Sequence, residues 1–282
     1  MRAEVPVVLV HGSWHGSWCW SLVTEQLALH GIRSVAVDLD GHGLKSRAPR
    51  ARWSRPMDKS AFATEPSPVA EVTASSAAAT LVKQIGRIGG GQPCLVVAHS
   101  MGGVVATAAA ELAPEQFAGL VYVTSFATVA GLSAAAYNTA PENAGSRLSR
   151  LIVADPRAIG AARIDTGDAS QHDVIRETFY NDVDANTAAA AIALLSTDTP
   201  AGISAEALAV TAPRYGAVPH AYVVCTRDNV IPVALQRRYV REVDAVSARP
   251  TAVTELDSSH SPFLSSPAIL AEVIASVELG NR

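Results

Sequence analysis

Short β-branched apolar runs alternate along the chain with longer stretches of helical character. Val5 to Val10 is apolar without polar alternation, the pattern of a strand covered on both faces in a parallel sheet. Further strands are expected over Arg33 to Asp38, from Cys94 to the serine at 100, over Phe117 to Thr124, from His220, and over Thr251 to Leu256. Helices are expected between them: Ser21 to His30 closed by Gly31, Ser75 to Ile88 stopped by Gly89-Gly90-Gly91, and an Ala- and Val-rich segment directly after Ser100. Another opens at Pro232 and runs to about Val243, and a terminal one runs from Pro267 to Leu279. This alternation predicts an α/β fold with a mostly parallel central sheet flanked by helices.

Two stretches break the scheme. Lys45 to Thr73 holds Arg47, Arg50, Arg52 and Arg55, then Ser, Thr and Pro without periodicity, and reads as a long loop. It is either a flap that helps close a site and supplies Arg to an anionic substrate, or a solvated excursion. From Val129 to about Val218, Ala, Asp, Ser and Thr dominate, helical segments such as Ala185 to Leu195 appear, and no strand of the earlier kind is visible. The expected organisation is a core made of residues 1–128 and 219–282, with 129–218 inserted as a helical cap. A length of 282 residues suits one α/β core plus such an insertion.

Composition narrows the partners. The formal charge of −4 provides no general field to attract nucleic acid or an anionic membrane, and no apolar stretch approaches the length of a membrane span. The apolar run before His11 is too short for a signal h-region plus cleavage site. Cys19, Cys94 and Cys225 are unevenly spaced and form no C-x-x-C pair, so buried free thiols in a reducing cytoplasm are expected. No Cys/His cluster has zinc spacing, and no metal site is expected. Oligomeric state stays open, a homodimer included.

The candidate chemistry sits at strand ends. Ala98-His99-Ser100-Met101-Gly102 meets the G-x-S-x-G pattern in relaxed form, with Ala98 in place of the first Gly. A sharp turn between strand and helix would lift the Ser100 side chain off the end of the sheet. A Ser hydroxyl needs a base to take its proton, and the base needs an acid to fix its tautomer. His260 and Asp228 each stand just past a later strand, and the chain order Ser, Asp, His is the one that α/β folds of this kind use. Asp228 is expected against His260 in preference to Asp257, Asp38 or Asp40; its plain alternative is to cap the helix near Pro232. The tight Gly12 to Gly16 loop after the first strand offers the backbone N–H of Ser13, which with that of Met101 would face a developing oxyanion. Trp14 and His15 beside this loop, and Phe126 past the end of the Phe117 strand, are candidates for substrate contact, whereas Trp18 and Trp20 read as core. His11 reads as an architectural part of its loop, and His99, beside the nucleophile, as pointing elsewhere.

Val8-Leu9-Val10-His11-Gly12-Ser13-Trp14-His15-Gly16-Ser17-Trp18-Cys19-Trp20, Ala98-His99-Ser100-Met101-Gly102-Gly103, Cys225-Thr226-Arg227-Asp228-Asn229-Val230-Ile231-Pro232 and Ser259-His260-Ser261-Pro262 together resemble the α/β-hydrolase superfamily. The resemblance is to the branch holding plant methylesterases and hydroxynitrile lyases with their bacterial relatives, and it spans roughly residues 5–128 and 220–279. It implies the α/β-hydrolase fold with an inserted helical cap. In the lyases of that branch, a Thr tends to occupy the position of Gly12 and a Lys follows the catalytic His, where this chain has Ser261. The related epoxide hydrolases and dehalogenases carry Asp at the position of Ser100. Both chemistries are disfavoured.

The function expected is a serine hydrolase that cleaves a small or medium apolar ester, lactone or thioester through an acyl-serine intermediate, with a small-molecule substrate and no cofactor. Two alternatives stay open: a cofactor-independent lyase or oxygenase using His260 as base, and a ligand receptor on the same fold without turnover.

Overall fold

The computed structural model describes residues 5–277. In chain order its first part is β1 (Val7–Val10), α1 (Ser21–Leu29), β2 (Ser34–Val37), α2 (Lys59–Thr64), α3 (Ala74–Gly89), β3 (Cys94–Ser100), α4 (Gly102–Leu112) and β4 (Phe117–Ser125). The stretch after β4 carries α5 (Pro156–Ile159), β5 (Ala161–Arg163), α6 (His172–Phe179), α7 (Ala185–Leu194), β6 (Asp198–Pro200) and α8 (Ala201–Ala205). The chain then returns to β7 (His220–Cys225), α9 (Val233–Val246), β8 (Ala252–Leu256), α10 (Pro262–Ser265) and α11 (Pro267–Ser276). The terminal helix was expected to reach Leu279, a residue outside those described.

β2, β1, β3, β4, β7 and β8 form one sheet in that order, and every pairing between neighbours is parallel. This is the α/β-hydrolase architecture, and the side-chain period of two explains its layering. Val7 and Leu9 of β1 face one way, with Leu95, Val97, Val121 and Val123, and are covered by Val23 and Leu27 of α1 and by Leu270, Ala271 and Ile274 of α11. Val8 and Val10 face the other way, with Val96, Ala98, Leu120 and Tyr122, and are covered by α3, α4 and α9. α3 starts in a capping box in which the Thr73 and Ser76 side chains each accept from the other's backbone N–H, and it stops at Gly90 in the left-handed conformation. β1 lies between β2 and β3, so the chain order reverses beside β1, and the loops after β1 and β3 leave the sheet at the same carboxyl edge.

Two expectations are corrected. The stretch after β4 is not free of strands: β5 and β6 pair antiparallel, Ala161 with Pro200, Ala162 with Thr199 and Arg163 with Asp198. Lys45 to Thr73 is not a plain loop either, because α2 and a 3₁₀ turn over Arg50–Trp53 lie inside it. Glu65 gives that turn a polar anchor, its carboxylate accepting from the N–H groups of Arg50 and Ala51 at 2.9 Å each.

A buried ion pair joins the two corrected segments. The Arg163 guanidinium meets the Asp198 carboxylate at two points, Nε to Oδ1 at 2.7 Å and Nη2 to Oδ2 at 2.8 Å, with side chains 0% and 1% exposed. Its remaining nitrogen, Nη1, donates to the carbonyls of Phe62 and Glu65 at the end of α2, and the guanidinium carbon lies 5.2 Å from the Phe62 ring centre. Every face of the cation is thereby answered, as a buried charge requires.

Candidate active site

Ser100 ends β3 with φ at +52°, the strained left-handed turn expected between this strand and α4. The small residues around it are there because backbone and hydroxyl groups crowd in. A Cβ on Gly102 would lie 2.4 Å from the His11 carbonyl oxygen, and one on Gly12 would lie 2.7 Å from the Ser100 Cβ.

Ser100, Asp228 and His260 come together. His260 Nε2 is 3.0 Å from Ser100 Oγ, and His260 Nδ1 is 2.7 Å from Asp228 Oδ2. A carboxylate can only accept, so the imidazole proton is on Nδ1 and Nε2 is left as the acceptor facing the serine hydroxyl. Asp228 Oδ2 takes the imidazole, while Oδ1 accepts from the N–H groups of Val230 at 2.6 Å and Ile231 at 2.9 Å in the turn ahead of α9; the helix itself, with Pro232 before its first residue, has no side-chain cap, so the capping alternative is not met. The pair is dry, with the imidazole 2% and the carboxylate 0% exposed. The competing acids are elsewhere. Asp38 accepts from Ser17 and Leu44 N–H, Asp40 pairs with Lys45 and Thr80, and Asp257 is exposed and paired with Arg227.

The N–H groups of Ser13 and Met101 donate to no protein group among the described residues. His11 explains how the first of these is aimed. Leu39 N–H donates to its Nε2 at 3.1 Å, which places the proton on Nδ1, and Nδ1 in turn donates to the Gly12 carbonyl at 2.8 Å. In a trans peptide the C=O and N–H point oppositely, so holding Gly12 O fixes the direction of the Ser13 N–H.

The candidate substrate contacts are placed differently from one another. His15 is 1% exposed; its Nδ1 donates to the Ser13 carbonyl at 2.7 Å and its Nε2 accepts from Tyr180 O–H at 2.8 Å, which leaves no ring nitrogen for a substrate. Trp14, at φ +59°, is 2% exposed, donates its indole N–H to the Ala162 carbonyl at 3.0 Å, and accepts at its own carbonyl from Ser196 N–H at 2.8 Å. Both are braces between the Gly12 to Gly16 loop and the stretch after β4. Phe126 is half-buried and lies beside Tyr239, with ring centres 6.0 Å apart.

Other residues that matter here escaped the sequence. His99 does turn away from the reaction centre, but its Nε2 donates to the His260 carbonyl at 2.8 Å and the two rings lie 4.6 Å apart, so it anchors the loop that carries His260. Asp182, just past α6, accepts from Ser259 N–H at 2.8 Å and lies 3.5 Å from Arg227, gripping the residue before His260 and the residue before Asp228. The neighbouring Asn181 donates to the Arg227 carbonyl at 3.0 Å. Nothing in a local sequence window signals such a contact.

Burial holds several imidazoles neutral. It lowers His15 to about 3 and His42 and His220 to about 4, and pushes His11 and His99 down as well. In the unfolded chain each takes a proton near its ordinary pKa of ~6.5, so below that pH the unfolded state carries more protons and acid favours it. Stability from these groups is complete above pH ~6.5 and drains away toward the lowered folded values, with a slope approaching ~1.4 kcal/mol per pH unit for each histidine. Thermal unfolding followed from pH 7 to 4.5 is therefore expected to show a steep fall in Tm, and a flat profile over that window would contradict the burial described.

Comparison with known proteins places this geometry. A family model described as the alpha/beta hydrolase family matches residues 7–273. Among curated proteins, the chain is 27% identical over 280 residues to a pyrethroid hydrolase of Sphingobium wenxiniae, covering 95% of this chain and 86% of that protein. It is 25% identical over 293 residues to methyl jasmonate esterase 1 of Vitis vinifera, covering 98% of each. Among solved structures, a pyrethroid hydrolase superposes with a TM-score of 0.74 at 22% identity over 97% of each chain. Polyneuridine aldehyde esterase gives 0.73 at 20% identity over 97% of this chain and 98% of that one.

Proposed function

The chain belongs to the alpha/beta hydrolase family, and on that footing we propose that it hydrolyses a small or medium apolar carboxylic ester through an acyl-serine intermediate. The observation that carries this reading is the single imidazole set between Ser100 Oγ at 3.0 Å and Asp228 Oδ2 at 2.7 Å. His260 Nε2 takes the hydroxyl proton as Ser100 attacks the ester carbonyl, and Asp228 stabilises the imidazolium that forms. The Ser13 and Met101 N–H groups receive the oxyanion. His260 then gives the proton to the departing alcohol, the acyl-enzyme remains, and water activated by the same imidazole releases the acid. No step calls for a cofactor.

The apolar side chains around Ser100 support an apolar substrate. Trp14, Met101, Val129, Leu151 and Phe179 belong to one apolar cluster that continues from the sheet into the stretch after β4. Residues 129–218 act in this reading as the cap: Phe179 lies 5.8 Å from Trp14 and 6.1 Å from His260 between ring centres, and Ser100 is 4% exposed beneath them. Each substrate methylene buried there adds about 0.8 kcal/mol to binding. The relatives named pyrethroid hydrolase and methyl jasmonate esterase support an ester substrate.

The lyase reading finds less support. The Cβ that a Thr at 12 requires would press on Ser100, and the position after His260 is Ser261, which carries no ammonium. Hydrolysis of a panel of apolar methyl and aryl esters in water labelled with ¹⁸O separates the readings. The expected result is equal amounts of acid and alcohol, with the label entering the acid alone. Label in the alcohol, or carbon–carbon cleavage without labelled acid, would contradict the proposal.

A further inference from the structure

We propose that the bulge at the end of β4 is a positioning device for this reaction, in which Thr124 sets Asp228 and Ser125 sets the peptide that carries the Met101 N–H. The inference rests on the acyl-serine reading above and assigns parts to two residues that reading does not use.

The ladder between β3 and β4 shifts register at its end. His99 pairs with Val123, but the next residue, Ser100, pairs with Ser125, so Thr124 is the extra residue of the bulge. Its φ is +35°, a conformation that a β-branched residue rarely adopts and that persists only where the surroundings hold it. The shift presents two adjacent hydroxyls to two different groups. Thr124 Oγ1 donates to Asp228 Oδ2, the same oxygen that receives the His260 N–H. Ser125 Oγ donates to the Ser100 carbonyl at 2.6 Å, and Phe126 N–H donates to that carbonyl at 3.1 Å.

The second contact matters through the trans peptide. The Ser100 carbonyl belongs to the peptide whose other end is the Met101 N–H, so fixing the oxygen fixes the direction of that donor, as His11 does for the Ser13 N–H through Gly12 O. Ser125 is itself immobilised: its N–H donates to Tyr222 Oη at 3.0 Å, and the Tyr222 O–H donates to its carbonyl at 2.7 Å. Room for its hydroxyl exists because residue 103 is glycine; a Cβ there would lie 2.1 Å from Ser125 Oγ. An oxyanion donor is effective only when held in place before charge develops, so a loosened peptide lowers turnover without weakening substrate binding.

The test compares wild type with Ser125→Ala, Thr124→Ala and Thr124→Ser in the full chain. The readouts are p-nitrophenyl acetate turnover and the fluorophosphonate labelling rate across pH, with Tm recorded for each variant. Phe126 N–H still holds the Ser100 carbonyl in Ser125→Ala, so kcat is expected to fall about tenfold, less than the loss of a whole donor, with KM within about twofold. Its acid limb against pH should stay in place. Thr124→Ala leaves the Asp228 charge less neutralised, favours the imidazolium, and should move the acid limb of kcat/KM to higher pH; Thr124→Ser, which keeps the hydroxyl, should restore it. An active wild type whose Ser125→Ala form keeps kcat within twofold, or loses activity through KM, and whose Thr124→Ala profile superimposes on wild type would overturn the inference alone. A wild type that neither labels nor turns over would overturn it together with the acyl-serine reading.

Discussion

Replacing Ser100 or His260 with alanine is expected to lower kcat by at least ~10³-fold on any ester the protein accepts. The size follows from the geometry. The hydroxyl is the group that forms the acyl bond, and the imidazole 3.0 Å from it is the base that makes attack possible at neutral pH. The two act as one unit, so the double replacement should cost scarcely more than either single one. Activity within tenfold of wild type in either variant would mean that some other group performs the chemistry.

The second large effect concerns stability. Arg163→Met is expected to remove ~3–5 kcal/mol, because it leaves the Asp198 carboxylate, 1% exposed, without the cation that is hydrogen-bonded to both its oxygens. It also frees the Phe62 and Glu65 carbonyls that the guanidinium holds at the end of α2. For a chain of this size such a loss lowers Tm by roughly 10 °C. Replacing both partners at once, Arg163→Met with Asp198→Leu, should recover much of the loss, since no charge is then stranded. Scanning calorimetry of the single and double variants checks both statements. A single variant within 2 °C of wild type would show that the pair is solvated.

The same pair marks the limit of what the sequence made legible. The core was readable because β1, β3, β4 and β7 are covered on both faces and their apolar runs are unbroken, while glycine and proline punctuate the helices between them. Ser100, Asp228 and His260 were readable because parallel strands bring their carboxyl ends to one edge, so a residue's place just past a strand already implies its neighbours. β5 and β6 left no such trace: three residues each are too few for alternation to register, and their pairing depends on a partner distant in sequence. Arg163 looked like any other cation of a polar stretch, and its burial is a property of the fold around it. The Thr124 bulge is a mismatch between two strands, which neither strand shows alone. His99 and His15 were set aside or misassigned for a related reason, since the tautomer and partner of an imidazole depend on carbonyls that only the folded chain supplies.

The central claim, that Ser100 is a nucleophile activated by His260, is tested most directly by intact-mass measurement after treatment with a fluorophosphonate. The account predicts one adduct per wild-type chain, none on Ser100→Ala, and strongly slowed formation on His260→Ala. An unlabelled wild type, or an adduct that persists in Ser100→Ala, would contradict it.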